Sequence, residues 1–368
     1  MSNGLSEKLA WTEADPEDAR LSSATEALAR DDGGAADEAD WPSALWSTIE
    51  HLGAPRWTLP REYGGDACTR PVLVQRYARL ATGSLTAVFI LSQHDAALRR
   101  LLAAQGNPTA ERWLNAVGRA RAVATVGISH LTTSRRLGTH AIQVDKTAPG
   151  RYRLNGTMPW VTAAGRADLV VTGAALDDGR QMLIALPADR PGVTVCPPFA
   201  LAALQASCTS QVDLRDVEVD DSDLLAGPAA EVLSHTGAVG TGGLETSALA
   251  IGQARAALWA LVELAPNRGE LLEPLDVLCE SWRALWGQLM AHARGEPDAV
   301  PASQIRAQAN ALVLRSTQAY LTARKGTGFL RSEPAQRWAR QALFFLVWSC
   351  PAPIAEAAIR DLAGLCPS

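Results

Sequence analysis

The hydrophobic period of this chain changes twice, and that constrains its fold more than any single motif. From Trp41 onward apolar residues recur at intervals of three and four. Leu45, Ile49 and Leu52 share one helical face ahead of Gly53, and Pro71–Leu80, Thr86–Ala104 and Thr109–Val117 repeat the spacing. Near Arg121 the period shortens to that of strands. AIQV, GRYRLNG, ADLVVTGA, QMLIALP, GVTV and SQVDLRDVEV follow one another, separated by Gly, Pro, Asp and Asn. After Leu225 the helical spacing returns in four long stretches, Glu245–Leu264, Leu272–Arg294, Ala302–Ala323 and Pro334–Trp348. This order predicts an α+β fold in four parts: an acidic, loosely ordered segment (1–40), an N-terminal helical domain (41–120), a small central β-barrel or sandwich (121–225), and a C-terminal four-helix bundle (226–368).

Composition narrows the functional classes. The 368 residues are 47% hydrophobic and 20% charged, enough apolar surface for a large core, and the formal charge of −5 gives no basic face for nucleic acid. Lys8, Lys146 and Lys325 are the only lysines among 34 basic side chains, the rest being arginine. The cysteines (68, 196, 208, 279, 350 and 366) form no CxxC pair, so neither a metal site nor a thioredoxin motif is expected, and reduced thiols fit a cytoplasmic location. No run reaches the roughly 18–20 apolar residues of a membrane span, and the first residues lack a signal-peptide pattern.

The string from Leu154 to Asp168, LNGTMPWVTAAGRAD, is the most distinctive in the chain. Asn155-Gly156 reads as a tight hairpin turn. Trp160 and Thr162 lie two apart on the strand that follows, so both face one side, offering a flat ring and a hydroxyl to a planar ligand. In isolation such a pair is more often core than site.

Over about 320 residues the chain resembles the acyl-CoA dehydrogenase family. The resemblance rests on PREYGG (60–65), Gln93-His94, the 155–168 string, Pro191–Val193, Leu214–Val219, Ala250–Gly252, Arg268, GTGF (326–329) and QRWAR (336–340), in that order. It implies an FAD enzyme, a homodimer or homotetramer, that removes hydrogens from the α and β carbons of an acyl-CoA or acyl-carrier thioester in fatty acid metabolism. An electron acceptor such as an electron-transfer flavoprotein would reoxidise it. By the same resemblance Trp160 packs on the flavin ring, Thr162 lies near its N5, and Ser129 meets its pyrimidine edge, with His130 standing where the family has an acid. Arg268, Gly326 and Gly328 serve the cofactor of a neighbouring chain.

The pattern departs from the family at the base. The usual glutamate falls on Ser349, followed by Pro351 in place of a threonine, and a serine hydroxyl is too weak to take an α proton unaided. The alternative family position falls on Gly242, with Glu245 one helical turn further, so Glu245 is the candidate catalytic base. An arginine that many members direct at CoA is replaced by Gly243, and a phenylalanine by Leu271. The alternative expectation is a non-catalytic flavin- or acyl-binding member that assembles with an active homologue.

Overall fold

A computed structural model describes residues 2–35, 40–131, 142–235, 243–348 and 352–365. Six helices come first: α1 (Ser2–Lys8), α2 (Asp18–Ala35), α3 (Ser43–His51), α4 (Arg70–Ala81), α5 (Leu85–Ala103) and α6 (Pro108–Gly118). Eight strands follow: β1 (Ala124–Gly127), β2 (Ile142–Ala148), β3 (Arg151–Val161), β4 (Leu169–Ala175), β5 (Gln181–Pro187), β6 (Val193–Val195), β7 (Ser210–Asp220) and β8 (Leu224–Ala229). The one-turn α7 (Val232–His235) leads to α8 (Leu244–Leu264), α9 (Leu272–Arg294), α10 (Ala302–Arg324), α11 (Pro334–Phe344) and α12 (Ala352–Leu362). The helical, β, helical order is the one the period changes predict.

The strands form one sheet in the order β6-β7-β3-β2-β4-β5-β8, with β1 added in parallel to β4. Strand alternation divides its side chains between two cores. Leu169 and Val171 on β4 and Leu183 and Ala185 on β5 pack against α5 and α6, whereas Val170, Ala174, Met182 and Ile184 join β2, β3 and β7 in a core of the sheet's own. Both faces of β4 are covered, and all seven of its residues are buried. Asn155-Gly156 is not the hairpin turn expected of it. β3 runs straight through the dipeptide, pairing with β2 and β7, and the register against β7 shifts there. A bulge absorbs Gly156 at φ 138°, and the β2–β3 turn comes earlier, at Gly150.

The helical segments on either side of the sheet share one hydrophobic core, running from Leu5 to Phe345. α8 lies at its centre between α4, α9 and α10. The stretch Leu244–Asn267 is long and apolar enough to cross a membrane by length and mean hydropathy, although Glu245, Gln253 and Arg255 interrupt it; in the fold most of it is buried in this core. Residues 2–35 are not loosely ordered. Leu9, Leu21 and Leu28 are fully buried, and Trp11 stands edge-on to Trp282 and Trp286. Arg76 grips Asp15 with two buried hydrogen bonds of 2.9 and 3.0 Å.

Candidate functional site

α5 begins at Ser84, whose hydroxyl accepts from the Ala87 amide, and runs between sheet and bundle. Its residues 89, 92, 93, 96, 99 and 100 follow the three-and-four spacing of one helical stripe, and all six line a cavity of about 670 Å³. The segment just after β1 adds Ile128 and Ser129, β3 adds Trp160, the turn that follows β3, and not the strand expected of it, adds Thr162, and the start of α8 adds its N-cap Gly243 and Glu245. Phe344 and Trp348 supply part of the bundle side. The fold thus brings four expected site residues, Ser129, Trp160, Thr162 and Glu245, to one concave surface of a size suited to a small ligand.

Trp160 is 50% exposed, unusual for so apolar a side chain, and its ring leans against Phe199 at 4.8 Å. Thr162 is held from several directions. Its carbonyl accepts from the Thr125 hydroxyl (2.8 Å), and the next residue, Ala163, adopts φ 55° and donates to the Ser207 carbonyl at 2.9 Å. The Thr162 hydroxyl lies 3.2 Å from that of Thr209, which lies 2.8 Å from that of Ser207. All three hydroxyls sit on residues that line the cavity, and neither Ser207 nor Thr209 is foreseen from the sequence. An indole face beside an anchored hydroxyl fits the ring system of a flavin.

On the opposite wall, Arg99 donates to Glu245 Oε1 at 3.0 Å. Burial works against the charge of Arg99, but Glu245, Tyr77 and Asp95 together more than offset it and raise its pKa. Behind the pair, Tyr77 and Thr58 donate to Asp95, which is fully enclosed. Burial pushes the Asp95 carboxyl up to about 7 despite these donors and Arg99.

The remaining expected residues lie elsewhere. His130 donates from Nε2 to the Gly173 carbonyl (2.8 Å), and burial pushes its pKa down, so it is a structural, neutral histidine. Arg268 donates to the Ala323 carbonyl (2.6 Å) near the end of α10 and to Glu270 (2.8 Å), within its own chain and away from the cavity. The Lys325–Phe329 turn is close by. A Cβ on Gly328 would meet Arg324 Cβ at 2.7 Å, whereas Gly326 has open space around it. Phe329 borders a second hollow of about 660 Å³ with Arg331, Gln336 and Arg340. Gly242, Ser349 and Pro351 lie outside the described residues.

No protein-family model matches the chain. It is 32% identical over 130 residues to a probable acyl-CoA dehydrogenase of Bacillus subtilis, covering 34% of each chain. It is 26% identical over 242 residues to benzylmalonyl-CoA dehydrogenase of Aromatoleum aromaticum, covering 64% of this chain and 63% of that one. It is 28% identical over 183 residues to dibenzothiophene monooxygenase of Rhodococcus erythropolis, covering 48% and 43%. The chain thus matches between about a third and just under two thirds of the length of these curated relatives. Solved structures agree over far more of it. Butyryl-CoA dehydrogenase of Megasphaera elsdenii superposes with a TM-score of 0.81 at 19% identity, covering 96% of this chain and all of the other. A glutaryl-CoA dehydrogenase of Mycobacterium smegmatis in complex with FADH2 gives 0.78 at 19%, covering 97% and 96%. At such identity the structural likeness is one of fold. The chain therefore has the fold of the acyl-CoA dehydrogenases over nearly its whole length and is similar to them in sequence over part of it.

Proposed function

We propose that the chain is an FAD-dependent oxidoreductase that introduces a double bond between the α and β carbons of an acyl thioester. The convergence of Ser129, Trp160, Thr162 and Glu245 on one cavity, from three separate stretches of the chain, is the observation that carries this reading. Bound against the sheet wall, FAD supplies the acceptor for the hydride that leaves the β carbon. Trp160 gives the ring a flat apolar contact. Thr162, oriented by Thr209, offers its hydroxyl to the ring edge. Glu245 stands in the first turn of α8, where its carboxylate takes the α proton, and the electron pair of the broken α C–H bond becomes the second bond between the α and β carbons as the hydride leaves. The apolar stretch of the lining excludes water from the step. An external acceptor, such as an electron-transfer flavoprotein, completes the cycle. A homodimer or homotetramer would direct Arg268 and the Lys325–Phe329 turn at a neighbour's cofactor, a role supported by the exposure of Phe329 and Leu330.

A second reading, a flavin- or acyl-binding member without activity of its own, is favoured by the Arg99–Glu245 ion pair, because the guanidinium already occupies an oxygen of the carboxylate that would have to reach the substrate. One experiment separates them. The purified protein is expected to carry bound FAD, and anaerobic addition of acyl-CoAs is expected to bleach the flavin in the wild type but not in Glu245→Gln. A protein with no flavin overturns the first reading and leaves of the second only an acyl-binding member. Bound flavin that no thioester bleaches leaves the second, and bleaching that survives in Glu245→Gln removes Glu245 from the base position.

A further inference from the structure

Three of the four charged side chains that line the main cavity, among the described residues, are arginines: Arg99, Arg100 and Arg340. Two of them are answered within the chain. Arg99 meets Glu245, and Arg340 donates to Gln336 Oε1 at 2.9 Å and to the Ala202 carbonyl at 2.6 Å. Arg100 is different. It is 4% exposed, no described carboxylate pairs with it, and its Nε has no hydrogen-bond partner. Its single described bond runs from Nη1 to the Ala96 carbonyl of its own helix, at 2.7 Å. Burial, and then the charge of Arg99, push its pKa down to about 10, which still leaves it cationic at neutral pH. A buried cation without an anion is costly, and a guanidinium cannot escape that cost by losing its proton.

We infer that Arg100 binds an anionic group of the substrate, and that the substrate is an acyl thioester whose acyl chain ends in a carboxylate. The inference rests on the acyl-thioester reading above and names the substrate class for that site. Position favours the acyl group as the source of the charge. Arg100 follows in the chain the residue that holds the proposed base, so their Cα atoms are about 3.8 Å apart. Arg100 and Glu245 also line the same cavity, in which the acyl group must lie, and a planar fork of donors suits a carboxylate in particular.

The test uses FAD-loaded wild type, Arg100→Gln and Arg100→Lys. Equilibrium binding is measured for a ladder of ω-carboxyacyl-CoAs, each against the plain acyl-CoA of equal length, and for the same pairs as N-acetylcysteamine thioesters, which lack phosphate. A charged hydrogen bond predicts that the wild type prefers the carboxylated member at the matching length by about 10- to 100-fold. The preference should also appear in the phosphate-free pairs, collapse in Arg100→Gln and partly survive in Arg100→Lys. Because the substitution removes an unpaired buried charge, the Tm of Arg100→Gln should stay level or rise, and its FAD affinity should not change. Equal binding of both series by the wild type overturns the inference and leaves the proposed function standing. A uniform loss across all CoA ligands in Arg100→Gln, absent from the phosphate-free pairs, assigns the cation to CoA phosphate and also overturns it. Loss of FAD from Arg100→Gln assigns it to the flavin, with the same consequence. If neither series binds at all, the acyl-thioester reading fails and this inference with it.

Discussion

Arg99 on α5 and Glu245 on α8, 146 residues apart, meet at 3.0 Å in the cavity wall, and Asp95 lies one helical turn before Arg99. The arrangement is asymmetric, because one cation faces two carboxyl groups. Removing Glu245 leaves Arg99 with Asp95, but removing Arg99 leaves the enclosed Asp95 and the partly buried Glu245 without that cation. Arg99→Gln is therefore expected to cost about 2 kcal/mol and Glu245→Gln less than about 1 kcal/mol in urea unfolding. Equal losses would show that Asp95 does not share the guanidinium.

His94 and Asp95 oppose each other in their response to pH. His94 is buried with Nε2 directed at the Pro55 carbonyl and Nδ1 accepting from the Ala124 amide, and burial pushes its pKa down from 6.5 to about 4. Between those values the unfolded chain binds more protons than the fold, so acidification destabilises the native state through His94. Asp95 is raised from 3.8 to about 7, so in that range the fold binds more protons and the stability it contributes is lost as pH rises. Each effect is worth roughly 3 to 4 kcal/mol at full expression, and together they nearly cancel between about pH 4 and 6.5. In thermal melts, the Tm of Asp95→Asn should fall further below that of the wild type as pH is lowered through this window, and that of His94→Asn should move the opposite way. Curves that stay parallel to the wild type would contradict the assignment.

Gly252 marks where α8 crosses α4. A Cβ there would lie 2.2 Å from the Ala78 carbonyl oxygen and 2.9 Å from Ala81 Cβ, so Gly252→Ala must push two buried helices apart. The expected cost is about 1–3 kcal/mol, although alanine is the better helix former. Gly287 on α9 has no such neighbour within 4 Å, and Gly287→Ala should gain up to about 1 kcal/mol. Denaturant midpoints of the two variants should shift in opposite directions.

Trp160 and Thr209 separate contact with the ring from orientation of the hydroxyl. Trp160→Ala should weaken FAD binding by about 3- to 10-fold with little change in Tm, because the side chain is half-exposed. Thr209→Val removes the partner of the Thr162 hydroxyl and should cost about 1 kcal/mol of stability together with a few-fold in FAD affinity. Quenching of flavin fluorescence during titration measures both affinities. Unchanged binding in the two variants would remove the flavin from this wall.

Most elements of the fold were legible in the sequence because the apolar period differs between helix and strand, and α9 begins and ends where that period does. Asn155-Gly156 misled because the turn rule is local, while β3 is fixed by partners on both sides that carry it through the dipeptide. The first forty residues misled because apolar residues are sparse there, yet Leu9, Leu21 and Leu28 are fully buried by elements distant in sequence. At the site, Trp160 and Thr162 stood out as a strand pair, and Glu245 as an acid opening a helix. Arg99 and Arg100 were not singled out within the Thr86–Ala104 helix. Their signal was the spacing from Phe89 and Ala96, which puts both arginines on the stripe that meets the cavity. The hydroxyls of Ser207 and Thr209 had no such marker, because they reach Thr162 through an irregular segment in which Cys208 takes φ 47°.

The slot that Trp11 fills has a consequence for synthesis. Its walls are Trp282 and Trp286, with Arg255 over the ring at 4.6 Å, and the Trp286 indole donates to the Thr12 hydroxyl. A ribosome delivers residue 11 long before residue 286. α2 can settle early on α3 and α4, but Trp11 and α1 must wait, greasy and unsheltered, until the chain is more than three quarters made, and it is in this interval that a chaperone would find most to hold.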